Sequence, residues 1–251
     1  MSLNLKKAIR TYKPIEKLGL TFYPITMEHY EEFQVCKSVL TIRLGTLPIK
    51  YATMDYFTAI YSWDKDTHAD IFGYLFILLC LSLRISPTEN NIRIYGNDDI
   101  VTKFSVIQNG KIVEITPQRY STIIRPLIAE QNGIKLPDES ENIELIKDIE
   151  AVSKYKNQNS KIKPNVDDLI SSVAYLSHVR EQEIYEWTIK VFEERFSAIN
   201  RDKLYTIYKT AELSGMVEFK QGNPYESWCY DTEIDIYDNN TLAEVEKAVQ
   251  H

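Results

Sequence analysis

The sequence predicts a mainly α fold with a small antiparallel β-hairpin or meander insert (α+β). Three observations predict it. Apolar residues recur at the 3.6-residue period in several separate stretches. A continuous apolar run, IFGYLFILLCLSL at 71–83, has the length of one buried helix. Between the helical patterns, β-branched runs flank Asn109-Gly110, the pair a type I′ hairpin turn needs because both central residues take positive φ.

In chain order, a basic leader precedes a short strand at 20–23, and a helical pattern follows from Thr26. There Met27, Tyr30, Phe33 or Gln34, Cys36 or Lys37, and Leu40 share a face. Gly45 and Pro48 close that unit. Helices are expected next at about 54–63 and over the apolar run to about 85. The run is too short to cross a bilayer and is bracketed by Asp70 and Arg84, so it reads as a core helix. Residues 91–116 read as a sheet of two or three strands. Thr116 caps a helix with Pro117 in its first turn, and Gly133 ends it. A helix at 138–155 leads into KYKNQNSKIK, a polar, aperiodic stretch ending at Pro164. Three more helical patterns follow: 166–176, 181–199, and one capped by Asn200 that places Leu204, Ile207, Tyr208 and Ala211 together before Ser214-Gly215. A brief strand at 216–220, a turn at NPYESW and a weak helix at 242–249 complete the chain. The organisation expected is a helical region at 1–88, a small sheet at 89–116, a helical pair at 117–156, a linker at 157–164, and a C-terminal helical region with an acidic tail at 165–251.

The composition, 44% hydrophobic and 26% charged, is that of a globular protein. A formal charge of −7 argues against nucleic acid as a partner, since phosphate binding asks for a basic face. Charge is unevenly spread: Lys6, Lys7, Arg10, Lys13 and Lys17 open the chain, Lys154, Lys156, Lys161 and Lys163 form a second basic stretch, and acids dominate from Glu226. Each reads first as a solvated face. Cys36, Cys80 and Cys229 form neither a disulfide framework nor a CxxC pair, which fits reduced thiols in a cytoplasm. No signal peptide is expected, because the first twenty residues lack a continuous apolar stretch.

The expectation for chemistry is negative: no enzyme, no cofactor, no metal and no membrane. His29, His68, His178 and His251 are the four histidines, and none sits in HExxH. There is no GxxxxGK[ST], no GxGxxG and no GxSxG. Asp64, Asp66, His68 and Asp70 in WDKDTHAD resemble the start of a calcium loop, but its glycine and closing glutamate are missing. The pairs Asp167-Asp168 and Glu193-Glu194 point to different sides of a helix and read as solvated charge. Between 184 and 199 the apolar residues exceed one stripe: Ile184, Trp187, Val191 and Phe192 suit one face, while Tyr185, Ile189 and Phe196 fall on a second. The nearby acids Glu183, Glu186, Glu193 and Glu194 argue against full burial. Tyr185, Trp187, Ile189, Phe196 and the later Trp228 are therefore the candidate partner-binding residues.

Two stretches carry a resemblance. DDLISSVAYLSHVREQEIYEWTIKVFEERFSAINRDKLYTIYKTAELSGMVEFK, with its "TI..F" and "Y.I.KTAE..G" patterns and a late Trp228, resembles the C-terminal helical region of tail assembly proteins of tailed phages and prophages of Gram-positive bacteria. LTFYPITMEHYEEF followed by LGTLPIKYATMDYF, and ITPQRYSTIIRPLIAEQNGIKLP, are similar to proteins of the same gene neighbourhood. The resemblance implies a non-enzymatic tail or baseplate assembly role, as a chaperone of the tape-measure protein in the cytoplasm of the host bacterium. The alternative it leaves is a structural tail or baseplate component retained in the virion, and it leaves self-association open. The chain departs from compact tail chaperones in its length and in its β insert.

Overall fold

In the computed structural model Asn109 and Gly110 both have positive φ, +52° and +75°. They join strands Val101–Gln108 and Lys111–Ile115, with Gln108 directly opposite Lys111. The turn twists as the strands do, so the hairpin forms without strain. A Cβ at Gly110 would meet nothing within 4 Å, so an alanine there costs only backbone energy. Gly110→Ala should destabilise the protein by about 1 kcal/mol in urea titration; an unchanged midpoint would mean that the turn relaxes without penalty.

The structure describes residues 3–88, 90–97, 100–139, 165–215, 219 and 227–228. The fold is mainly α with two small antiparallel sheets. Helix α1 (Leu3–Arg10) leads into the hairpin β1 (Ile15–Lys17) and β2 (Leu20–Phe22). A 3₁₀ turn at Met27–His29 opens α2 (Tyr30–Cys36), then come α3 (Ser38–Thr41), α4 (Ile49–Ala52), α5 (Tyr56–Thr67) and α6 (Ile71–Leu83). Strands β3 (Ile92–Gly96), β4 (Val101–Gln108) and β5 (Lys111–Ile115) form the second sheet in that order. A helical segment follows, made of α7 (Pro117–Arg119), a π turn (Tyr120–Ile124) and α8 (Arg125–Gln131). After it come α9 (Val166–Ser177), α10 (Glu181–Glu186) and α11 (Ile189–Leu213). The chain divides into two compact units, Met1–Phe192 and Glu193–His251.

The first unit is built around an aromatic knot. Phe57 of α5 stacks on Phe104 of β4 with ring centres 4.5 Å apart, and Tyr120 meets both edge-on at 5.1 and 6.3 Å. Phe72 of α6 closes the group at 5.5 Å from Phe57. Such contacts add about 0.5–1.5 kcal/mol each beyond burial. They also make one core of three stretches that composition divides at 88 and 116. The apolar run is a core helix, as its length predicts: Leu75, Leu78, Leu79, Cys80 and Leu83 of α6 are buried.

Buried side-chain amides then fix where the extended segment 20–27 runs. The Gln108 amide donates to the carbonyls of Thr21 (2.8 Å) and Leu83 (2.7 Å), and its oxygen accepts the Thr21 N–H. Asn132 accepts the Ile25 N–H at 2.9 Å, and Gln131 donates to the Phe22 carbonyl at 3.2 Å. Arg125 is buried against the end of α3, donating to Leu40 O at 3.1 and 2.8 Å and lying 3.6 Å over the Tyr56 ring. The Tyr56 hydroxyl donates to the Val39 carbonyl.

Several boundaries differ from expectation. The pattern from Thr26 buries Met27, Phe33, Cys36 and Leu40 as predicted, but the helix is interrupted after Cys36. The helix capped by Thr116, which accepts the Arg119 N–H, contains an unpredicted π turn. Pro126 explains it: the ring has no N–H to give Thr122 and would press on that carbonyl in a regular α turn. Asn200 caps nothing, because α11 runs through it; IKVFEERFSAINRDKLYTIYKTAEL contains neither Gly nor Pro to stop a helix. Gly215, at φ +68°, follows the end of α11 as expected. Asp138 and Glu139 are not helical; the rest of the helix expected at 138–155, the linker at 157–164, the helix at 242–249, and most of the strand at 216–220 and of NPYESW lie outside the described residues.

Candidate functional site

The break between α10 and α11 decides where the candidate aromatics point. A single helix was expected over 181–199. Instead Trp187 is extended (φ −67°, ψ 150°), and Thr188 forms an antiparallel bridge with Thr26. Met27 N–H donates to the Trp187 carbonyl at 2.8 Å, and Ile189 N–H donates to Ile25 O at 2.9 Å. The Thr188 hydroxyl accepts the Val191 N–H at 3.2 Å, capping the start of α11. The cap is legible in the sequence as a threonine three residues ahead of Val191, but the continuous apolar pattern on both sides obscured it.

The break changes the assignment of faces. Ile184 and Ile189 are both fully buried, and Phe192 meets Tyr30 of α2 edge-on at 6.5 Å. Ile189, expected on a partner-facing side, is therefore a core residue: the two-residue interruption rotates it onto the side that Ile184 and Phe192 share. Trp187 is half-buried. Tyr185 remains 44% exposed and Phe196 40% exposed. In the second unit Trp228 is 59% exposed, its carbonyl accepts the Arg201 Nε–H at 3.1 Å, and Tyr208 stacks on Phe219 at 5.6 Å. Ile207 and Leu213 of α11 are exposed in that unit, as is Tyr175 of α9 in the first.

Tyr185 stands at the rim of a cleft of about 600 Å³ in the first unit. Ile25, Cys80, Leu81 and Ile85 line its apolar part, while Glu28, His29, Arg84 and Glu186 contribute polar groups. Arg84 lies 4.5 Å over the Tyr23 ring. No motif announces this cleft, because its lining comes from three distant stretches of chain: 24–29, 80–87 and 185–186.

The titratable groups here are suited to packing rather than to nucleophilic chemistry. Burial pushes the Cys80 thiol from 9.0 up to about 11 and the Cys36 thiol up to about 12. Burial likewise raises Tyr56 from 10.0 to about 12, against the opposing field of Arg125, and raises Tyr120 as well. All four are protonated at neutral pH, so Cys80 in the cleft wall carries no thiolate. Their folded-state values lie above the unfolded ones, so the stability they contribute is complete below about pH 8.5–10 and is lost as pH rises through 11 and 12. The melting temperature should hold steady to about pH 8.5 and fall progressively above it. A melting temperature that held steady through pH 11 would contradict this burial.

The acidic motif WDKDTHAD spans the end of α5 and the turn into α6. Asp64 accepts the Ile71 N–H at 2.7 Å, starting α6. Asp66 accepts Lys50 Nζ at 2.8 Å and the Tyr51 hydroxyl at 2.6 Å, and the Lys50 hydrogen bond leads in holding its carboxyl below the usual value. His68 and Asp70 take left-handed conformations around the turn. These groups serve helix ends and one ion pair. Among the described residues no group of three or more His, Cys, Asp or Glu could hold a metal ion. Asp167 and Asp168 are exposed in the first turn of α9, where the helix dipole favours them. Glu193 and Glu194 are exposed on α11. Among the described residues no helix is long and apolar enough to cross a membrane.

No family model matches the chain, and no curated protein or solved structure matches it.

Proposed function

We propose that this chain is a non-enzymatic tail or baseplate assembly protein of a tailed phage or prophage, acting as a chaperone that binds a helical segment of the tape-measure protein. The observation that carries the reading is the exposure of large apolar side chains along the C-terminal helices: Tyr175 and Tyr185 in the first unit, Phe196, Ile207 and Leu213 in the second. An amphipathic client helix needs such adaptable apolar and aromatic contacts, and tyrosine and tryptophan dominate the energy of such interfaces. The resemblance of 167–220 to tail assembly proteins supplies the client, and the host cytoplasm is where that client would be met.

The test pairs Tyr185→Ala with Phe196→Ala in the full chain and measures binding to a tape-measure fragment from the same phage genome. Binding should weaken at least about tenfold, while stability shifts by no more than about 1 kcal/mol. Unchanged binding would overturn the chaperone reading. Recovery of the chain in purified particles would favour the structural virion component instead.

A further inference from the structure

Helix α1 is amphipathic. At 100° per residue, Lys6, Lys7 and Arg10 fall within an arc of about 100°, and all three are exposed. Ile9, about 60° beyond Lys6 on the same wheel, is buried in the first unit. Lys13 and Lys17 continue the positive strip past Tyr12, and both are exposed. Among the described residues none of these five cations is ion-paired, whereas Lys50, Lys103 and Lys209 each hold a carboxylate at 2.6–2.8 Å. Five like charges within twelve residues repel one another, and Glu16 is the one acid interspersed. The opposite imbalance lies at the other end of the sequence. From Glu226 onward come Asp231, Glu233, Asp235, Asp238, Glu244 and Glu246 against Lys247 alone.

We propose that the basic face of α1, continued by Lys13 and Lys17, is a docking surface for the acidic segment 226–251 of a second copy of this chain. A second copy brings complementary charge, seven acids against one lysine in 226–251 facing five cations and one acid in 6–17. A bilayer is disfavoured because Ile9 commits the apolar side of α1 to the protein's own core, leaving no apolar face to insert. A nucleic acid is disfavoured because the rest of the chain is acidic and would repel a polyanion. The contact is heterologous, basic face to acidic segment, so each copy keeps one free donor and one free acceptor surface, and association proceeds head to tail or closes into a ring. It is electrostatic and therefore sensitive to salt.

Sedimentation velocity of the full chain at about 20 mM and about 500 mM salt reads this directly, with self-association weakening at least about tenfold in the higher salt. One variant carries Lys6→Glu, Lys7→Glu and Arg10→Glu; the other carries Asp231→Lys, Glu233→Lys and Asp235→Lys. Each alone should sediment as a single chain. Mixed, they should form one-to-one complexes, because the first keeps the acidic segment and the second keeps the basic face. If the glutamate variant loses its circular dichroism, the same three positions changed to glutamine preserve the test. Wild-type chain that stays single at low salt, or self-association unaffected by the α1 changes, overturns the proposal. So does a mixture that remains single chains, the result expected if the acidic segment acts only within its own molecule.

Discussion

Leu78→Asp should yield a chain without a cooperative thermal transition. Leu78 has no solvent exposure, and its neighbours along α6, Leu75 and Leu79, are buried with it. An aspartate there must either stay ionised in an apolar environment or take up a proton and remain without a hydrogen-bond partner. Both states cost several kcal/mol. A domain of this kind has about 5–15 kcal/mol in all, and the substitution also removes the apolar contacts of the leucine. Leu78→Ala serves as the control: it makes a cavity, costs about 2–5 kcal/mol and leaves a folded, less stable protein. An aspartate variant that melted like the wild type would require α6 to be solvent-facing, and the aromatic knot around Phe57, Phe72 and Phe104 could not stand.

Arg125→Met should cost about 2–3 kcal/mol in urea denaturation. The guanidinium satisfies Leu40 O at the C-terminal end of α3, reaches Ile42 O at 3.4 Å, and covers the ring of Tyr56. Methionine keeps much of the volume but donates nothing, so those carbonyls lose their donor in a place water does not easily reach. Arg125→Lys should recover part of the loss, since an ammonium can reach one carbonyl but cannot reproduce the fork or the flat stacking contact. A methionine variant within about 0.5 kcal/mol of wild type would show that water replaces the donor.

The arginine also marks where sequence reading stopped. Asn109-Gly110, Thr116-Pro117, Gly215 and the apolar run at 71–83 carry local signals, and each forms the element its signal implies. Those signals act within a few residues and need no knowledge of the rest of the chain. Arg125, Gln108 and Asn132 gave no such signal, because their partners lie 85, 87 and 107 residues away. The interruption at Trp187-Thr188 belongs to the same class. Its residues suit a helix, and what wins is pairing with Thr26, a partner that periodicity cannot see. The misplacement of Ile189 follows from that one event. The cleft beside Tyr185 stayed hidden for a related reason: stretches that carry no motif of their own meet there.

The pairing of Thr26 with Thr188 has a consequence for biosynthesis. Segment 24–27 leaves the ribosome early, but the Trp187 carbonyl and Ile189 N–H that hold it are made 160 and 164 residues after Met27 and Ile25. At about 5–20 residues per second, that separates the two sides of the bridge by roughly 8–30 s. In the interval the nascent chain can form the hairpin at Asn109-Gly110 and the knot around Phe57, whose partners are already present. The floor beneath Ile184, Ile189 and Phe192 waits uncovered. Chains stalled before residue 187 should therefore be sensitive to protease and chaperone capture at this floor, and sensitivity should disappear once synthesis passes α11.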